Sequence, residues 1–227
     1  QWQRQLPALQ QRAGAAESEE ELWTILLDLL RPLEDRHVSL QAPRFGTFRS
    51  GEGGPRGETP PGLRDTGTIG DAVSFGTRGD GVLYLRIHHF RGTLESARWT
   101  GTLDALLRKY AKAPGVLVDV RDNDGGNHRV AGHVAEAFAH RRRHYLTIRE
   151  HSPAGHRPGE EKWYLRPRGI FPTGRPVTVW TNRNTASAAE AFVLAMRTLP
   201  NVTHKGERTA GASGDMDTRT LPNGWRY

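Results

Sequence analysis

The stretch Pro176–Glu190, PVTVWTNRNTASAAE, constrains the fold of this chain most, because a strand pattern passes within a few residues into a helix pattern. Val177 and Val179 alternate with less apolar neighbours, as in a half-buried strand, and an alanine-rich helical run follows a polar turn. Ser187 falls in the first turn of that helix. Amides at a helix start lack partners and the helix dipole favours negative charge, so the position suits a hydroxyl nucleophile whose reaction forms an oxyanion.

A simple structural role competes with the catalytic one. Serine and threonine begin helices routinely, because their hydroxyl oxygens accept hydrogen bonds from the first free amides. On this segment alone, a helix cap formed by Thr185 or Ser187 is the stronger interpretation.

A second strand–turn–helix junction favours the catalytic interpretation over the helix cap. Gly115–Gly126 reads GVLVDVRDNDGG, in which the apolar run Val116–Val118 is typical of a buried parallel strand. The pair Gly125 and Gly126 allows positive φ angles and lets bare backbone amides approach a ligand, and helical spacing follows. One junction with a serine and one with a glycine pair together predict an acyl-transfer site with preformed oxyanion donors.

A third segment offers a general base. Leu33–Leu40, LEDRHVSL, places His37 at the start of an alternating strand pattern. Histidine is the usual side chain to accept a serine proton near neutral pH. The chain has ten histidines, and the competitors nearest to the other motifs are His128, His133 and His204.

These segments resemble the tail-specific (C-terminal processing) serine protease family, and more narrowly its tricorn-core-like branch. The resemblance rests on DRHVSL, GVLVDVRDNDGG and PVTVWTNRNTASAAEAF, followed by GERTAGASG at Gly206–Gly214, in the order of the family. DGVLYLRIHHF at Asp80–Phe90 also matches the strand that opens the family's core. The resemblance extends from about Glu20 to the end of the chain.

The resemblance implies a role for each matching residue. Ser187 corresponds to the nucleophile, and the amides of Gly126 and Ala188 correspond to the oxyanion hole. His37, in the D-x-H motif, corresponds to the general base. The implied function is a serine peptidase that cleaves proteins or peptides through an acyl-enzyme, without cofactor or metal. The alternative is a non-catalytic ligand- or peptide-binding module on the same fold.

The chain departs from the family branch that uses a serine–lysine dyad. That branch carries its lysine in the turn that here reads Thr209–Gly214, and Ala212 stands at the lysine position. Lys205 lies too early in the motif to replace it. The resemblance therefore favours the branch with a histidine base.

The histidine branch also uses a glutamate in a downstream E-G-x-G segment, which is absent here. The sequence ends within a predicted strand–turn–strand at Thr218–Tyr227 and begins at Gln1, so we expect both ends to be cut and the glutamate to follow the C-terminus. Arg36 replaces a serine that often precedes the histidine. Asp35 is a local alternative acid, but two residues along one strand is poor geometry for reaching the His37 ring.

Charge and composition exclude several function classes. The formal net charge is +7, yet all but four of the 32 basic residues are arginine, a bias typical of GC-rich coding sequence. We interpret the run Arg141–Arg143 as a solvated helix end and expect no nucleic-acid partner, since interleaved aromatic residues are missing. Because the chain has no cysteine, disulfides, thiolate zinc sites and a cysteine nucleophile are excluded.

The sequence and the family resemblance also bear on the location and the domain content of the protein. No run of eighteen apolar residues occurs, so we expect no membrane-spanning segment in this chain. The resemblance slightly favours an extracytoplasmic location and leaves an oligomer open. Only about forty residues separate His37 from Asp80, so we expect no inserted PDZ module.

The predicted fold is α/β: a ClpP/crotonase-like layered ββα core with a small helical N-terminal subdomain. We expect residues 1–42 to form that subdomain with the D-x-H motif, 43–71 a flexible loop or lid, and 72–227 the catalytic core. Ser18–Glu21 predicts a capping box at a helix start. Predicted strands are Ala72–Gly76, Val82–Phe90, Val116–Arg121, His144–Arg149, Lys162–Arg166 and Val177–Thr181, and predicted helices are Trp99–Ala113, Arg129–Arg142 and Ser187–Thr198.

Overall fold

The structure, a computed structural model, describes residues 2–51, 53–149, 159–214 and 217–227. It divides into two compact units. The first unit comprises Gln1–Gly53 and Gly214–Tyr227, and the second unit comprises Gly54–Ser213. Each unit has a hydrophobic core of its own.

Two helices and a hairpin build the first unit. Helix α1 spans Leu6–Gly14, α2 spans Glu19–Leu30, and the antiparallel strands β1 and β2 span Ser39–Ala42 and Gly46–Arg49. The Ser18 hydroxyl accepts a hydrogen bond from the Glu21 amide at 3.1 Å, which confirms the predicted start of α2.

Aromatic rings form much of the core of the first unit. Trp23 on α2 stacks on Phe45 with ring centroids 5.3 Å apart, and Trp225 meets both rings edge-on. The C-terminal turn closes through a bond from the Gly224 amide to the Leu221 carbonyl. The predicted strand–turn–strand is present in short form: Arg219 and Tyr227 exchange two backbone hydrogen bonds, and Thr220 pairs antiparallel with Arg226.

The second unit alternates strands with helices. In chain order its elements are β3 Arg64–Ile69, β4 Val73–Thr77, β5 Leu83–Ile87, α3 Trp99–Lys109, β6 Val116–Asp119, α4 His128–Glu136, β7 Arg143–Arg149, β8 Glu160–Leu165, β9 Val177–Thr181, α5 Ala188–Arg197 and β10 Val202–Gly206. Strands β7 and β8 pair with each other as a separate antiparallel hairpin.

The main sheet has the order β10-β9-β6-β5-β4-β3. Strands β5, β6, β9 and β10 run parallel, whereas β3 and β4 join antiparallel at one side. Strands β5 and β6 are buried along their whole length, as expected of parallel strands covered on both faces. The parallel arrangement brings the carboxyl ends of β5, β6 and β9 to one edge, where both predicted strand–turn–helix junctions lie.

Three strands were not predicted from the sequence. Strand β3 lies inside the predicted loop 43–71, as does β2 of the first unit, and β10 was not predicted at all. Both β3 and β10 lie at an end of the described sheet order and leave most of their side chains at least partly exposed. Backbone pairing rather than an apolar pattern forms them. Whether 43–71 moves as a lid stays a prediction.

The interpretation of the arginine run as a helix end is wrong. Helix α4 ends at Glu136, and the next turns close through shorter bonds such as that from the Ala139 amide to the Glu136 carbonyl. Arg143 already belongs to β7, and the Arg142 guanidinium lies 3.6 Å from the centre of the Tyr164 ring. The run therefore enters a hairpin, where arginine stacks on an aromatic ring.

Candidate active site

Ser187 has a strained backbone conformation. It lies between β9 and α5 with φ 56° and ψ −126°, a region that residues with a Cβ rarely adopt. Such strain costs about 1–3 kcal/mol and collects at functional sites. The Ser187 amide donates to the Ala212 carbonyl at 2.7 Å and to Glu190 Oε2 at 3.3 Å. The strained turn is therefore held by contacts from two sides.

Ser187 and Glu190 form a capping box at the start of α5. Glu190 Oε2 accepts from the Ser187 amide, and the Ser187 side chain faces the Glu190 amide, whose 2.8 Å hydrogen bond goes to the Ser187 carbonyl. The Thr185 hydroxyl donates to the Val120 carbonyl at 2.8 Å and accepts from the Asn182 amide. Thr185 thus stabilises the turn, and the short 2.8 Å hydrogen bond at the start of the helix uses the Ser187 carbonyl.

The glycine turn packs directly against the serine turn. Gly125 and Gly126 have φ angles of 100° and 134°, which only glycine adopts without strain. A Cβ added at Gly125 would lie 2.7 Å from Ser187 Cβ and 2.8 Å from the Ala188 nitrogen. The two junctions singled out in the sequence therefore meet in the second unit.

The backbone amides of Gly126 and Ala188 lie at this meeting point. In the part of the chain that the structure describes, the amides of Gly126 and Ala188 donate no hydrogen bond, whereas the next amide of the helix, that of Ala189, reaches the Ala186 carbonyl at 3.0 Å. Gly126 is exposed. Unpaired amides beside a serine are the donors that an oxyanion requires.

Glu190 connects helix α5 to the segment that replaces the lysine turn. Its buried Oε1 accepts from the Thr209 hydroxyl and the Gly211 amide, both at 2.7 Å. Ala212, next in the chain, is fully buried and its carbonyl holds the Ser187 amide. The Ala212 position, which the sequence resemblance equates with the lysine of the dyad branch, therefore packs beside Ser187 and holds a methyl group. Glu190 was not predicted as a site residue, although the spacing Ser187–Glu190 is the capping-box pattern.

His37 lies in the first unit, apart in the chain from the residues above. It is half-buried and occupies a turn, closed by a bond from the Val38 amide to the Asp35 carbonyl, so that β1 begins two residues later than predicted. Asp35 Oδ1 accepts from the His37 backbone amide at 2.8 Å. Asp35 thus bonds the His37 backbone, and the pairing of His37 with Ser187 stays a prediction.

The competing histidines occupy other places in the second unit. His128 opens α4 and packs edge-on against Trp163 at 5.7 Å between ring centroids. Burial and the charge of Arg168 lower the pKa of His133 on α4, and burial and Arg197 lower the pKa of His204 on β10. The hydrogen bonds of His88, His89, His140 and His144 in the second unit go to groups other than the Ser187 hydroxyl.

One serine–histidine pair was not foreseen from the sequence. Ser74 Oγ lies 2.9 Å from His88 Nε2, and burial and the charge of Arg86 lower the pKa of His88, which favours the neutral ring. Ser74 lies inside β4, between β3 and β5, where backbone amides pair across the sheet. The pair has a hydroxyl and a base but not the helix-start setting that surrounds Ser187.

The conspicuous pair Asp119 and Arg121 is structural. Asp119 is fully buried at the end of β6 and accepts hydrogen bonds from Tyr84 at 2.8 Å and from both Nε and Nη2 of Arg121, at 2.9 and 2.6 Å. The guanidinium also lies 4.6 Å from the centre of the Trp180 ring. A paired, stacked arginine of this kind stabilises the strand end that leads into the glycine turn.

Asp122 bonds a residue of the predicted lid, Gly57, to other residues of the second unit. With φ 62°, it turns its carboxylate toward the Asn182 and Asn184 amides, at 2.9 and 2.8 Å, and toward the Gly57 amide at 2.9 Å. Arg86 adds an ion pair at 2.7 Å. Burial alone raises the pKa of Asp122, but the hydrogen bonds from Asn182, Asn184 and Gly57 and the charge of Arg86 together outweigh it and hold the pKa below its usual value.

We expect Asp122→Asn to destabilise the protein by about 1.5–3 kcal/mol at pH 7, because charge-assisted hydrogen bonds are lost. A lowered folded-state pKa contributes stability that is complete above the unfolded value of about 3.9 and is lost as pH falls through the folded value. The gap in unfolding free energy between wild type and variant should therefore narrow from pH 7 to pH 3. Urea unfolding at both pH values measures this difference in unfolding free energy. An equal difference at pH 7 and pH 3 would contradict the stabilising role of the ionised Asp122 carboxylate.

Comparison with known proteins identifies the family. The family model for peptidase family S41 matches residues 81–227. The chain belongs to peptidase family S41. This S41 peptidase is a serine-type hydrolase of the tail-specific protease group, which confirms the resemblance drawn from its motifs. Comparison with curated proteins found no match.

Solved structures support the fold of the S41 peptidase. A protein of Parabacteroides merdae ATCC 43184 proposed to be a peptidase is 26% identical, with a TM-score of 0.74 over 92% of this chain and 68% of its own. The photosystem II D1 C-terminal processing protease is 20% identical, with a TM-score of 0.50, covering 72% of this chain and 39% of its own. Mature CPAF complexed with lactacystin is 14% identical, with a TM-score of 0.52, covering 72% and 47%. The ClpP/crotonase-like α/β core is confirmed.

Two further observations bear on partners. Among the helices of the described residues, none combines the length and apolar character needed to cross a bilayer. In the same residues, no group of three or more His, Cys, Asp or Glu side chains could hold a metal ion.

Proposed function

We propose that this S41 peptidase cleaves peptide bonds in proteins or peptides through an acyl-enzyme at Ser187. The observation that carries the proposal is the strained Ser187 turn with the unpaired amides of Gly126 and Ala188 beside it. A strained serine between a strand and a helix, next to preformed donors, is the arrangement that acyl transfer requires.

The reaction begins when Ser187 Oγ attacks the substrate carbonyl carbon and His37 accepts the hydroxyl proton. The carbonyl oxygen becomes an oxyanion, which the Gly126 and Ala188 amides stabilise by about 2.7–4 kcal/mol for each donor. His37 returns the proton to the leaving amine, and an acyl-enzyme remains on Ser187. Water then attacks the ester with His37 again as the base, and the acid product leaves.

The choice of histidine over lysine rests on the turn that follows β10. Ala212 occupies the lysine position and is buried against the Ser187 amide. A base therefore has to come from another segment, and His37 lies in the motif that supplies the base in the histidine branch.

We expect His37→Ala to lower kcat for an unstructured protein substrate by about 10²–10⁴-fold, the usual contribution of a general base. KM should change little, because the base does not bind the substrate. Initial cleavage rates of wild type and variant over a range of substrate concentrations provide the measurement.

The triple variant of Arg141, Arg142 and Arg143 to Ala is the control for the arginine-rich surface. It should cleave like wild type, and the wild-type protein should bind duplex DNA no better than non-specific proteins do, with micromolar or weaker affinity at physiological salt.

Unchanged cleavage in His37→Ala would reject His37 as the base. Absence of both cleavage and serine labelling in the wild-type protein would favour the ligand-binding module.

A further inference from the structure

Asn123 lies at the centre of the contact between the two junctions. It follows β6 and its side chain is fully buried. Its Nδ2 donates to the Ile87 carbonyl, at the end of β5, at 2.9 Å, and its Oδ1 accepts from the Gly125 amide at 2.9 Å. The side chain therefore fixes the glycine turn to the neighbouring strand.

The backbone of the same residue holds the serine turn. The Asn123 carbonyl accepts from the Ala186 amide at 3.0 Å, one residue before Ser187. Gly125, which the side chain holds, is the glycine whose added Cβ would lie 2.7 Å from Ser187 Cβ. One residue thus connects the end of β5, the glycine turn and the approach to Ser187.

We infer that Asn123 is a positioning residue that sets the Gly126 amide relative to the Ser187 hydroxyl. The inference rests on the proposed function, because it concerns the same oxyanion hole. Only an amide side chain of this length offers a donor on one side and an acceptor on the other. Aspartate keeps the acceptor but places charge beside the Ile87 carbonyl, and alanine leaves both partners unpaired in a buried place.

The test is the rate of covalent labelling by a fluorophosphonate, whose phosphoryl oxygen enters the oxyanion hole when the serine reacts. A displacement near 1 Å costs on the order of 100-fold in rate. We expect the maximal labelling rate constant of Asn123→Asp and Asn123→Ala to fall by that factor, with little change in the half-saturating probe concentration. A merely structural role would reduce the fraction of protein that labels and leave the rate constant of that fraction unchanged.

A pH series adds a second measurement on Asn123→Asp. Protonation of the introduced carboxyl restores an O–H donor toward the Ile87 carbonyl, so its labelling rate relative to wild type should rise as pH falls from 8 to 6. Asn201→Asp is the matched control, because Asn201 Nδ2 also bonds a backbone carbonyl, that of Arg175, at 2.7 Å, outside the two junctions. This control should label at the wild-type rate.

Each failure has a distinct signature. A labelling rate constant within threefold of wild type in either Asn123 variant overturns the positioning role while the proposed function stands. If Asn123→Ala does not fold, the rate constant and pH series of Asn123→Asp, which keeps the shape of the side chain, decide the question. Labelling that persists in Ser187→Ala refutes the proposed function itself, and with it the inference.

Discussion

Ser187→Ala should abolish fluorophosphonate labelling and lower kcat by on the order of 10⁶-fold, the loss seen when a serine nucleophile is removed. The fold should survive, because the shortest hydrogen bonds of this residue, at 2.7 and 2.8 Å, come from its backbone. The Ser187 amide donates to the Ala212 carbonyl, and the Ser187 carbonyl accepts from the Glu190 amide. Alanine keeps both contacts. Mass spectrometry of the labelled protein and thermal unfolding together measure the two effects.

Ser74→Ala is the matched control for this experiment. Ser74 has a histidine at 2.9 Å but lies inside a strand of the sheet. Its loss should leave labelling and cleavage at wild-type levels. A labelled peptide that contains Ser74, Ser39 or Ser213 instead of Ser187 would assign the activated serine elsewhere.

The interior strands were predictable because burial leaves a pattern in the sequence. Val116–Val118 is an apolar run in a strand buried on both faces, and Val177 and Val179 alternate with half-buried neighbours in the adjacent strand. The end strands β3 and β10 lack such a pattern. Gly67 in β3, for example, faces the Phe75 ring so closely that an added Cβ would lie 2.6 Å from it. Strand β3 forms through backbone pairing with β4 and the close contact of Gly67 with Phe75, and neither is visible in the local sequence.

The candidate site was predictable as far as its chemistry is local. A serine at a strand–helix junction and a glycine pair after a strand are each visible within a dozen residues. The contacts that hold them together join residues far apart in the chain, as when the Asn123 carbonyl holds the Ala186 amide. Neither segment has a sequence feature that indicates which other segment it contacts. The same applies to Glu190, whose partners follow it by about twenty residues.

Gly125→Ala should lower kcat by at least about 100-fold and destabilise the protein by about 2–5 kcal/mol. A left-handed backbone costs about 1–2 kcal/mol with a Cβ present, and overpacking of a tight contact adds about 1–3 kcal/mol. The new methyl group would lie 2.7 Å from Ser187 Cβ and 2.9 Å from the Ala186 carbonyl oxygen, so the serine turn has to move. Displacement of the nucleophile accounts for the loss in rate.

Gly174→Ala is the control that separates the effect of backbone strain from the effect of displacing Ser187. Gly174 also has a positive φ, 83°, but an added Cβ there meets no atom within 4 Å. This variant should lose about 1–2 kcal/mol of stability through the backbone alone and keep kcat within twofold of wild type. Chemical unfolding and cleavage of an unstructured protein measure both quantities for the two variants. If Gly125→Ala also kept its kcat, the contact between the glycine turn and Ser187 would have no part in catalysis, because the strain is common to both variants and only the contact differs.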